Sequence, residues 1–304
     1  MKGEIFLEMR GIKKSFGNQV VLRGVDLDVR RGEVLVLLGG SGGGKSVLMK
    51  HMVGLLQPDE GTVTLEGKVI SDLSERDLSW ARKKISMMFQ SGALFDSMTV
   101  AENVAFPMQE AGLRDRDELS RRVSEALEIV HLEGQEDKMP ATLSGGMRKR
   151  VALARAVVEE PCCVLYDEPH AGLDPVTGDS IDRLIKDLAN EHGITNVVIT
   201  HEMRSAFRIA DRLVFMKDGL VYWEGTPDEL KACQDPVLVN FVEGRSQDSD
   251  LLFRLRAGIV TLWRLIPKKP RRLLGAFYFS GLRCLEQSSS CLGISVIYSR
   301  SAMK

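Results

Sequence analysis

The sequence predicts an α/β fold built on a mainly parallel sheet that helices cover. The first observation is an apolar run at residues 34–38, followed by the octapeptide GGSGGGKS and a helix-like segment at residues 47–55. The second is the alternation of strand-like and helix-like segments over residues 162–223, in which the strand at 162–166 is of the buried, apolar type and the strand at 195–200 is rich in β-branched residues. Strands that are apolar on both faces are typical of parallel sheets with helices on either side.

Three strand-like segments make up the start of the chain, at residues 5–9, 20–29 and 34–38. Gly17-Asn18 separates the first two, and Arg31-Gly32 separates the last two. Both dipeptides are typical of turns, and short turns join antiparallel neighbours. The sequence therefore predicts N-terminal antiparallel β strands beside the main sheet.

The middle of the chain is predicted to be helical, and strands resume after it. Beyond the octapeptide we expect strands at residues 62–66, 86–89, 162–166 and 195–200, a hairpin at 213–223, and helices at 100–111, 115–130, 144–159, 175–190 and 203–210. An inserted α-helical subdomain at residues 91–160 would then interrupt a core formed by residues 4–90 and 161–225.

The octapeptide has the composition of a phosphate-binding loop. Its glycines allow consecutive backbone N–H groups to turn inward at the start of a helix, where they form a site for an anion. Lys45 can reach the β- and γ-phosphates of a nucleotide, and Ser46 can place its hydroxyl on Mg²⁺. The expected nucleotide contacts are Gly39, Gly40, Ser41, Gly42, Gly43, Gly44, Lys45, Ser46 and Val47. This pattern predicts a protein that binds a nucleoside triphosphate.

Two acids follow the apolar strand at residues 162–166. Ligands of open α/β sheets bind at the carboxyl ends of the strands. At such a position Asp167 suits an outer-shell contact with Mg²⁺, and Glu168 suits the orientation and activation of an attacking water. We therefore interpret Glu168 as the catalytic base of a hydrolase.

Two further polar residues end predicted strands of the same sheet. His201 follows the strand at residues 195–200, where it could hydrogen-bond a γ-phosphate oxygen. Gln90 ends the strand at residues 86–89, where it could contact Mg²⁺ or the attacking water. Each residue is weak evidence by itself, since a lone histidine or glutamine is usually structural. The shared sheet edge favours a catalytic interpretation.

A second potential anion site lies at the start of the basic helix near residue 148. Ser144 can cap that helix, and Gly145 and Gly146 expose backbone donors in its first turn. One chain needs only one phosphate cradle, so a second site is useful only to another subunit. The pattern predicts a head-to-tail homodimer in which each nucleotide lies between one cradle and the partner's Ser144 to Gly146.

Composition adds a few limits. The chain is 44% hydrophobic and 27% charged, which is ordinary for a soluble globular protein, and its net charge of −1 gives no general attraction to nucleic acid. The five cysteines have no paired metal-binding spacing and suggest a reducing compartment. We see no signal peptide and no apolar run of the ~18 residues that a membrane span needs. A cytoplasmic chain is expected.

Charge is unevenly distributed, because residues 245–304 carry a net charge of +8 and the remainder −9. Apolar residues recur at helical spacing over residues 252–266, and the cluster KKPRR follows. One interpretation is a basic amphipathic segment on an anionic membrane or a permease surface. A helix packed on its own domain or on the dimer partner is an equal alternative. An altered or fused reading frame is a third.

Taken together, the motifs resemble the ATPase domains of ABC transporters. The motifs are the octapeptide, Gln90, LSGG at 143–146, YDEP at 166–169, AGLD at 171–174 and His201, and their order covers about residues 4–243. The resemblance implies a P-loop NTPase core of the ABC ATPase type. It also implies that Phe16 stacks on adenine, that Asp174 lies in a loop at the dimer interface, and that Ser144 to Gly146 contact the partner's ATP.

A narrower resemblance is to the Mla/MCE-type lipid-transport ATPases. It rests on KSVL at 45–48, FQSGALF at 89–95, Met147 at the end of the signature motif and AGLDP at 171–175. It implies phospholipid transport through an integral membrane permease at the cytoplasmic face of the inner membrane, with an MCE-type lipid-binding subunit. The chain has His170 where this subgroup is expected to have Phe, and the sequence offers no explanation for it. Most ABC ATPases have Gln where Met147 stands, so an amide contact to the ribose is expected to be lost.

We therefore interpret the chain as a peripheral ATPase subunit that closes and reopens with ATP to drive a permease, docked near residues 90–107. One alternative is the ATPase of another ABC system, such as a small-solute importer. A second alternative is a soluble ABC-type ATPase of DNA repair or translation. The second is disfavoured because the sequence has neither a long coiled-coil insertion nor a second ATPase half.

Overall fold

The computed structural model describes residues 3–74 and 76–245. The strands among these residues are β1 (Ile5–Phe16), β2 (Gln19–Arg30), β3 (Val34–Gly39), β4 (Glu60–Leu65), β5 (Lys68–Val69), β6 (Ile85–Met88), β7 (Cys163–Asp167), β8 (Thr195–Ile199), β9 (Arg212–Lys217) and β10 (Leu220–Gly225). The helices are α1 (Lys45–Met52), α2 (Ser79–Lys84), α3 (Val100–Glu110), α4 (Arg116–Ile129), α5 (Gly145–Val157), α6 (Pro175–Asn190), α7 (Met203–Ile209), α8 (Pro227–Ala232) and α9 (Pro236–Val242).

The main sheet has the strand order β10-β9-β3-β8-β7-β6. Its strands are parallel except for β10, which pairs antiparallel with β9 as the predicted hairpin. A second, antiparallel sheet has the order β2-β1-β4-β5. The structure thus confirms the predicted α/β fold with N-terminal antiparallel strands.

Strand β3 shows why a central strand of this sheet has apolar residues at alternate and intervening positions alike. Val34, Val36 and Leu38 pack into a core shared with α3 to α6, while Leu35 and Leu37 pack on the other face with α1 and the antiparallel sheet. Alternate residues of a strand point to opposite faces, so both faces of this sheet are buried. The carboxyl ends of β3, β6, β7 and β8 consequently lie along one edge of a rigid sheet.

Side-chain caps fix the starts of the helices that approach this edge. Thr99 and Glu102 form a reciprocal capping box at α3, and Ser144 caps α5. Asp174 caps α6, with Pro175 at its first position. Each cap satisfies backbone N–H groups that have no acceptor within the helix.

The main differences between the structure and the sequence prediction concern β1, α2 and the C-terminal helices. Strand β1 continues to Phe16, well beyond the predicted end at residue 9, because a register shift between Met9 and Ile12 accommodates Gly11. Helix α2 was missed, since it has only six residues and no side-chain cap. The two C-terminal helices α8 and α9 were also missed, although each begins with a capping residue followed by proline.

The predicted basic amphipathic segment lies outside the described residues. Within residues 3–74 and 76–245, none of the helices is both long enough and apolar enough to cross a membrane.

Candidate active site

The glycine-rich octapeptide connects β3 to α1 at the carboxyl edge of the main sheet. Lys45 is the first residue of α1 and is only 6% exposed. Its Nζ donates hydrogen bonds to the carbonyl oxygens of Gly39 at 2.8 Å and Gly40 at 2.9 Å. Burial lowers the pKa of Lys45, an effect that the nearby Glu168 and Asp167 partly oppose. The loop therefore encloses a buried amine at the start of a helix.

Two positions of this loop require glycine. Gly39 has a φ of +140°, and a Cβ there would lie 2.2 Å from the carbonyl oxygen of Met216. Gly44, with a φ of +93°, precedes α1, and a Cβ there would lie 2.7 Å from Leu22 Cδ2. Both a left-handed backbone and a close approach to neighbouring strands exclude other residues.

The end of β7 meets the start of α1 through a single hydrogen bond. Ser46 Oγ donates to Asp167 Oδ1 at 3.1 Å. A hydroxyl and a carboxylate are hard oxygen donors of the kind that Mg²⁺ prefers. No cluster of three or more His, Cys, Asp or Glu side chains with metal-holding geometry occurs within the described part of the chain. The donor set fits an ion whose remaining ligands are phosphate oxygens and water.

Glu168 is held between the two other polar residues that end strands of the sheet. Its Oε1 lies 2.7 Å from His201 Nε2, and its Oε2 accepts a hydrogen bond from Gln90 Nε2 at 3.2 Å. Its backbone has a φ of +51°, and its N–H donates to the carbonyl oxygen of Ile199 at 3.0 Å. Residues that follow β6 and β8 thus converge on the carboxylate of the residue that follows β7.

Lys149 belongs to the same surroundings, and sequence reasoning missed it. This α5 residue is 6% exposed, and its Nζ donates to the carbonyl oxygen of Gln90. Burial lowers its pKa, an effect that Glu168 opposes. The helical spacing could have indicated that Lys149 is buried, because it shares the buried face of the helix with Ala152 and Leu153.

Ser144, Gly145 and Gly146 begin α5 away from the octapeptide's hydrogen bonds. Ser144 Oγ accepts from the backbone N–H of Met147 at 3.2 Å, so the side chain caps its own helix. No hydrogen bond among the described residues joins these three residues to the octapeptide. A groove of about 520 Å³ opens beside them, lined by α5, α6 and the segment after α4. Ser144 is exposed and Gly145 is half-buried, whereas Gly146 is buried against Thr177, so the N-terminal end of this helix faces outward through Ser144 and Gly145.

Asp174 caps α6 beside the start of α5. It accepts hydrogen bonds from the backbone N–H groups of Val176 and Thr177 and from Thr177 Oγ1. The hydrogen bonds from Thr177 are the main cause that lowers the pKa of Asp174. The next residue but one, Val176, is 80% exposed, so this cap presents an apolar side chain to the exterior.

Phe16 ends β1 on the antiparallel sheet. Its ring is 48% exposed, and Lys14 Nζ lies 5.8 Å from the ring centroid. An exposed aromatic face with a neighbouring cation suits stacking on a planar, electron-rich ring. Within the described residues, no hydrogen bond connects Phe16 to the groups around Glu168.

Comparison with known proteins places the chain in a family. Residues 22–171 match the family model described as ABC transporter. The chain is 38% identical over 258 residues to protein TRIGALACTOSYLDIACYLGLYCEROL 3, chloroplastic, of Arabidopsis thaliana. The aligned region covers 79% of this chain and 74% of the relative. It is 39% identical over 251 residues to the methionine import ATP-binding protein MetN of Brucella abortus. That alignment covers 82% of this chain and 68% of MetN.

A solved structure agrees with these relatives. It is the dimeric, post-hydrolysis state of the ATP-binding cassette MJ0796 bound to ADP and Pi, which is 33% identical. It superposes with a TM-score of 0.67 and covers 73% of this chain and 98% of its own. The chain belongs to the ABC transporter family and is an ATP-hydrolysing, ATP-binding subunit of that family.

Proposed function

We propose that the carboxyl edge of the main sheet hydrolyses ATP with Glu168 as its base. The observation that carries the proposal is the convergence of His201 and Gln90 on the Glu168 carboxylate, next to the Ser46–Asp167 hydrogen bond. Glu168 would accept a proton from the attacking water, and Gln90 would hold that water in line. His201 would donate to a γ-phosphate oxygen while it fixes the carboxylate.

Nucleotide binding would use the octapeptide from Gly39 to Ser46 and the first turn of α1, which includes Val47. Lys45 Nζ would exchange its bonds to the loop carbonyls for the β- and γ-phosphates. Ser46, Asp167 and Gln90 would hold Mg²⁺, which offsets the negative charge of the phosphates. Phe16 would stack on the adenine.

The second half of each site would come from a second copy of the chain. The outward-facing start of α5, with Ser144, Gly145 and Gly146, would contact the γ-phosphate held by the partner's octapeptide. Asp174 would lie in the loop between the two subunits. In this arrangement residues 4–243 form the ATPase domain, with a core at 4–90 and 161–225 and a helical subdomain at 91–160. Residues 244–304 would be a basic extension.

The proposed task is phospholipid transport through a separate membrane permease, at the cytoplasmic face of the inner membrane. Support comes from FQSGALF at 89–95 and from Met147, and from a relative whose printed name is that of a galactolipid. Phe95 is 40% exposed and Phe89, immediately before this range, is 41% exposed, which supports residues 90–107 as the permease docking surface. An MCE-type lipid-binding subunit would complete the assembly.

A small-solute importer is the second candidate function. The similarity to MetN, a methionine import protein, favours this function. The chain is 39% identical to MetN and 38% identical to the relative named after a galactolipid. The shared ATPase residues cannot separate the two functions, because both use the same chemistry.

The test is the composition of the native assembly. A tagged Glu168→Gln chain, isolated from membranes with bound ATP, should co-purify with a multi-span permease, a membrane-tethered lipid-binding subunit and excess phospholipid by mass spectrometry. Lys45→Ala serves as a matched control for ATP-dependent capture. Recovery of a soluble solute-binding protein instead, together with stimulation of the wild-type assembly's ATPase by an amino acid or polyamine, would contradict lipid transport.

A further inference from the structure

His170 lies two residues after Glu168, and the structure gives it partners that the sequence did not suggest. The side chain is 8% exposed, and its Nε2 lies 2.6 Å from Asp182 Oδ1 on α6. Ser205 on α7 donates from Oγ to the same Asp182 oxygen at 2.5 Å and lies 3.3 Å from His170 Nε2. Asp182 and Ser205 are each 2% exposed. A buried polar cluster therefore joins three separate segments.

The direction of the hydrogen bonds follows from the chemistry of the carboxylate. An ionised carboxylate only accepts, so both His170 Nε2–H and Ser205 Oγ–H donate to it. Arg208 Nη1 lies 3.6 Å from Asp182 Oδ2 and supplies a positive charge on the opposite side. A buried carboxylate is costly unless it is paired and hydrogen-bonded, and here it has both kinds of partner. The Asp182 carboxylate thus holds the side chains of His170 and Ser205 in fixed positions.

The cluster is not a second hydrolytic site. A nucleophilic triad needs the carboxylate on one ring nitrogen of the histidine and the serine on the other. Here Asp182 and Ser205 both lie on the Nε2 side, while Nδ1 is buried with no partner among the described residues. The serine is also closed off from any substrate. A structural or positioning role is what the geometry supports.

The three joined segments adjoin Glu168, Asp174 and His201. His170 belongs to the loop between Glu168 and Asp174, and its carbonyl oxygen accepts from Leu173 N–H at 3.0 Å. Asp182 lies two turns into the helix that Asp174 caps, and Ser205 is four residues after His201. We propose that His170 is a positioning residue, which fixes the spacing of Glu168 and Asp174 relative to His201 by donating from Nε2 to Asp182. The inference rests on the proposed roles of Glu168 and His201.

This role predicts a loss of turnover without a loss of ATP affinity. His170→Phe keeps an aromatic ring, slightly larger than imidazole, but removes the donor, and Phe is the residue expected in the similar lipid-transport ATPases. His170→Gln retains a donor at the position of Nε2. In the full chain, His170→Phe should lower kcat by about tenfold with KM for ATP within about twofold. His170→Gln should recover at least half of the wild-type kcat.

A double variant separates positioning from general damage. If His170 acts through Glu168, His170→Phe should have no further effect on the residual rate of the Glu168→Gln chain. Ser205→Ala, which removes only the α7 donor, should lower kcat by about threefold, and it replaces His170→Phe if that chain does not fold. Thermal unfolding of every variant is measured in parallel.

Three results would overturn the proposal: a wild-type kcat in His170→Phe, equal losses in His170→Phe and His170→Gln, or an undiminished effect of His170→Phe in the Glu168→Gln chain. A Glu168→Gln chain that hydrolyses ATP at the wild-type rate would instead overturn the catalytic assignment of Glu168. That outcome is read from the single variant alone, so the two failures are distinguishable.

Discussion

The starts of α1 and α5 are both rich in glycine, yet their surroundings differ. At α1 the first residue, Lys45, is a buried amine, and Ser46 is hydrogen-bonded to Asp167 beside the Glu168 carboxylate. At α5 Ser144 caps its own helix, and Gly146 packs on Thr177 of α6. The first helix start therefore has a cation and acids for chemistry, whereas the second offers backbone donors and the hydroxyl of Ser144. We infer that they are complementary halves of one site, supplied by two subunits.

The largest effect is expected from a substitution that removes the base beside α1. Glu168→Gln preserves the shape of the side chain but cannot accept the proton of the attacking water, so ATP turnover should fall by ~10²-fold or more. ATP binding, measured by isothermal titration calorimetry, should persist. A near wild-type turnover would show that the chemistry does not belong to this helix start.

A smaller effect is expected from the cation. Lys45→Ala should weaken ATP binding by roughly tenfold or more, because the phosphates lose a charge-assisted hydrogen bond worth about 1.5–3 kcal/mol. Lys50→Ala, on the same helix but away from the octapeptide, is the matched control and should bind ATP normally. Retained affinity in the Lys45→Ala chain would contradict the assignment of α1 as the phosphate cradle.

The smallest effect concerns the packing of α5. A Cβ at Gly146 would lie 2.4 Å from Thr177 Cγ2, and Thr177 is held by its hydrogen bond to Asp174. Gly146→Ala should therefore destabilise the fold by about 1–3 kcal/mol, seen as a lower midpoint of urea unfolding. Gly145→Ala is the matched control, because a Cβ there would lie 3.5 Å from Leu173 Cδ2, an ordinary contact. Equal midpoints for the two variants would contradict this account of the α5–α6 contact.

How far the sequence predicts the structure depends on how local the signal is. Helix α6 has the predicted bounds because Asp174, Pro175 and a strong apolar periodicity mark it. The meeting of Gln90, Glu168 and His201 could also be predicted, since parallel strands end at one sheet edge. Contacts between distant segments could not be predicted. Neither the bond from Lys149 to the Gln90 carbonyl nor the His170–Asp182–Ser205 cluster follows from any local pattern.

The central claim, that α1 and α5 contribute to one site from two subunits, is tested most directly by mixing two inactive chains. Ser144→Arg places a bulky cation at the start of α5, which should block hydrolysis while monomer ATP binding stays within about twofold. Lys45→Ala is defective only at α1, and it is inactive when the ATP concentration is kept well below its weakened affinity. In a head-to-tail heterodimer one site receives both defects and the other receives none.

The account predicts that the equimolar mixture recovers ATP hydrolysis that neither chain shows alone, with a rate that rises as the two concentrations are increased together. Hydrolysis at the wild-type rate by a Ser144→Arg chain that sedimentation velocity shows to be monomeric would contradict it.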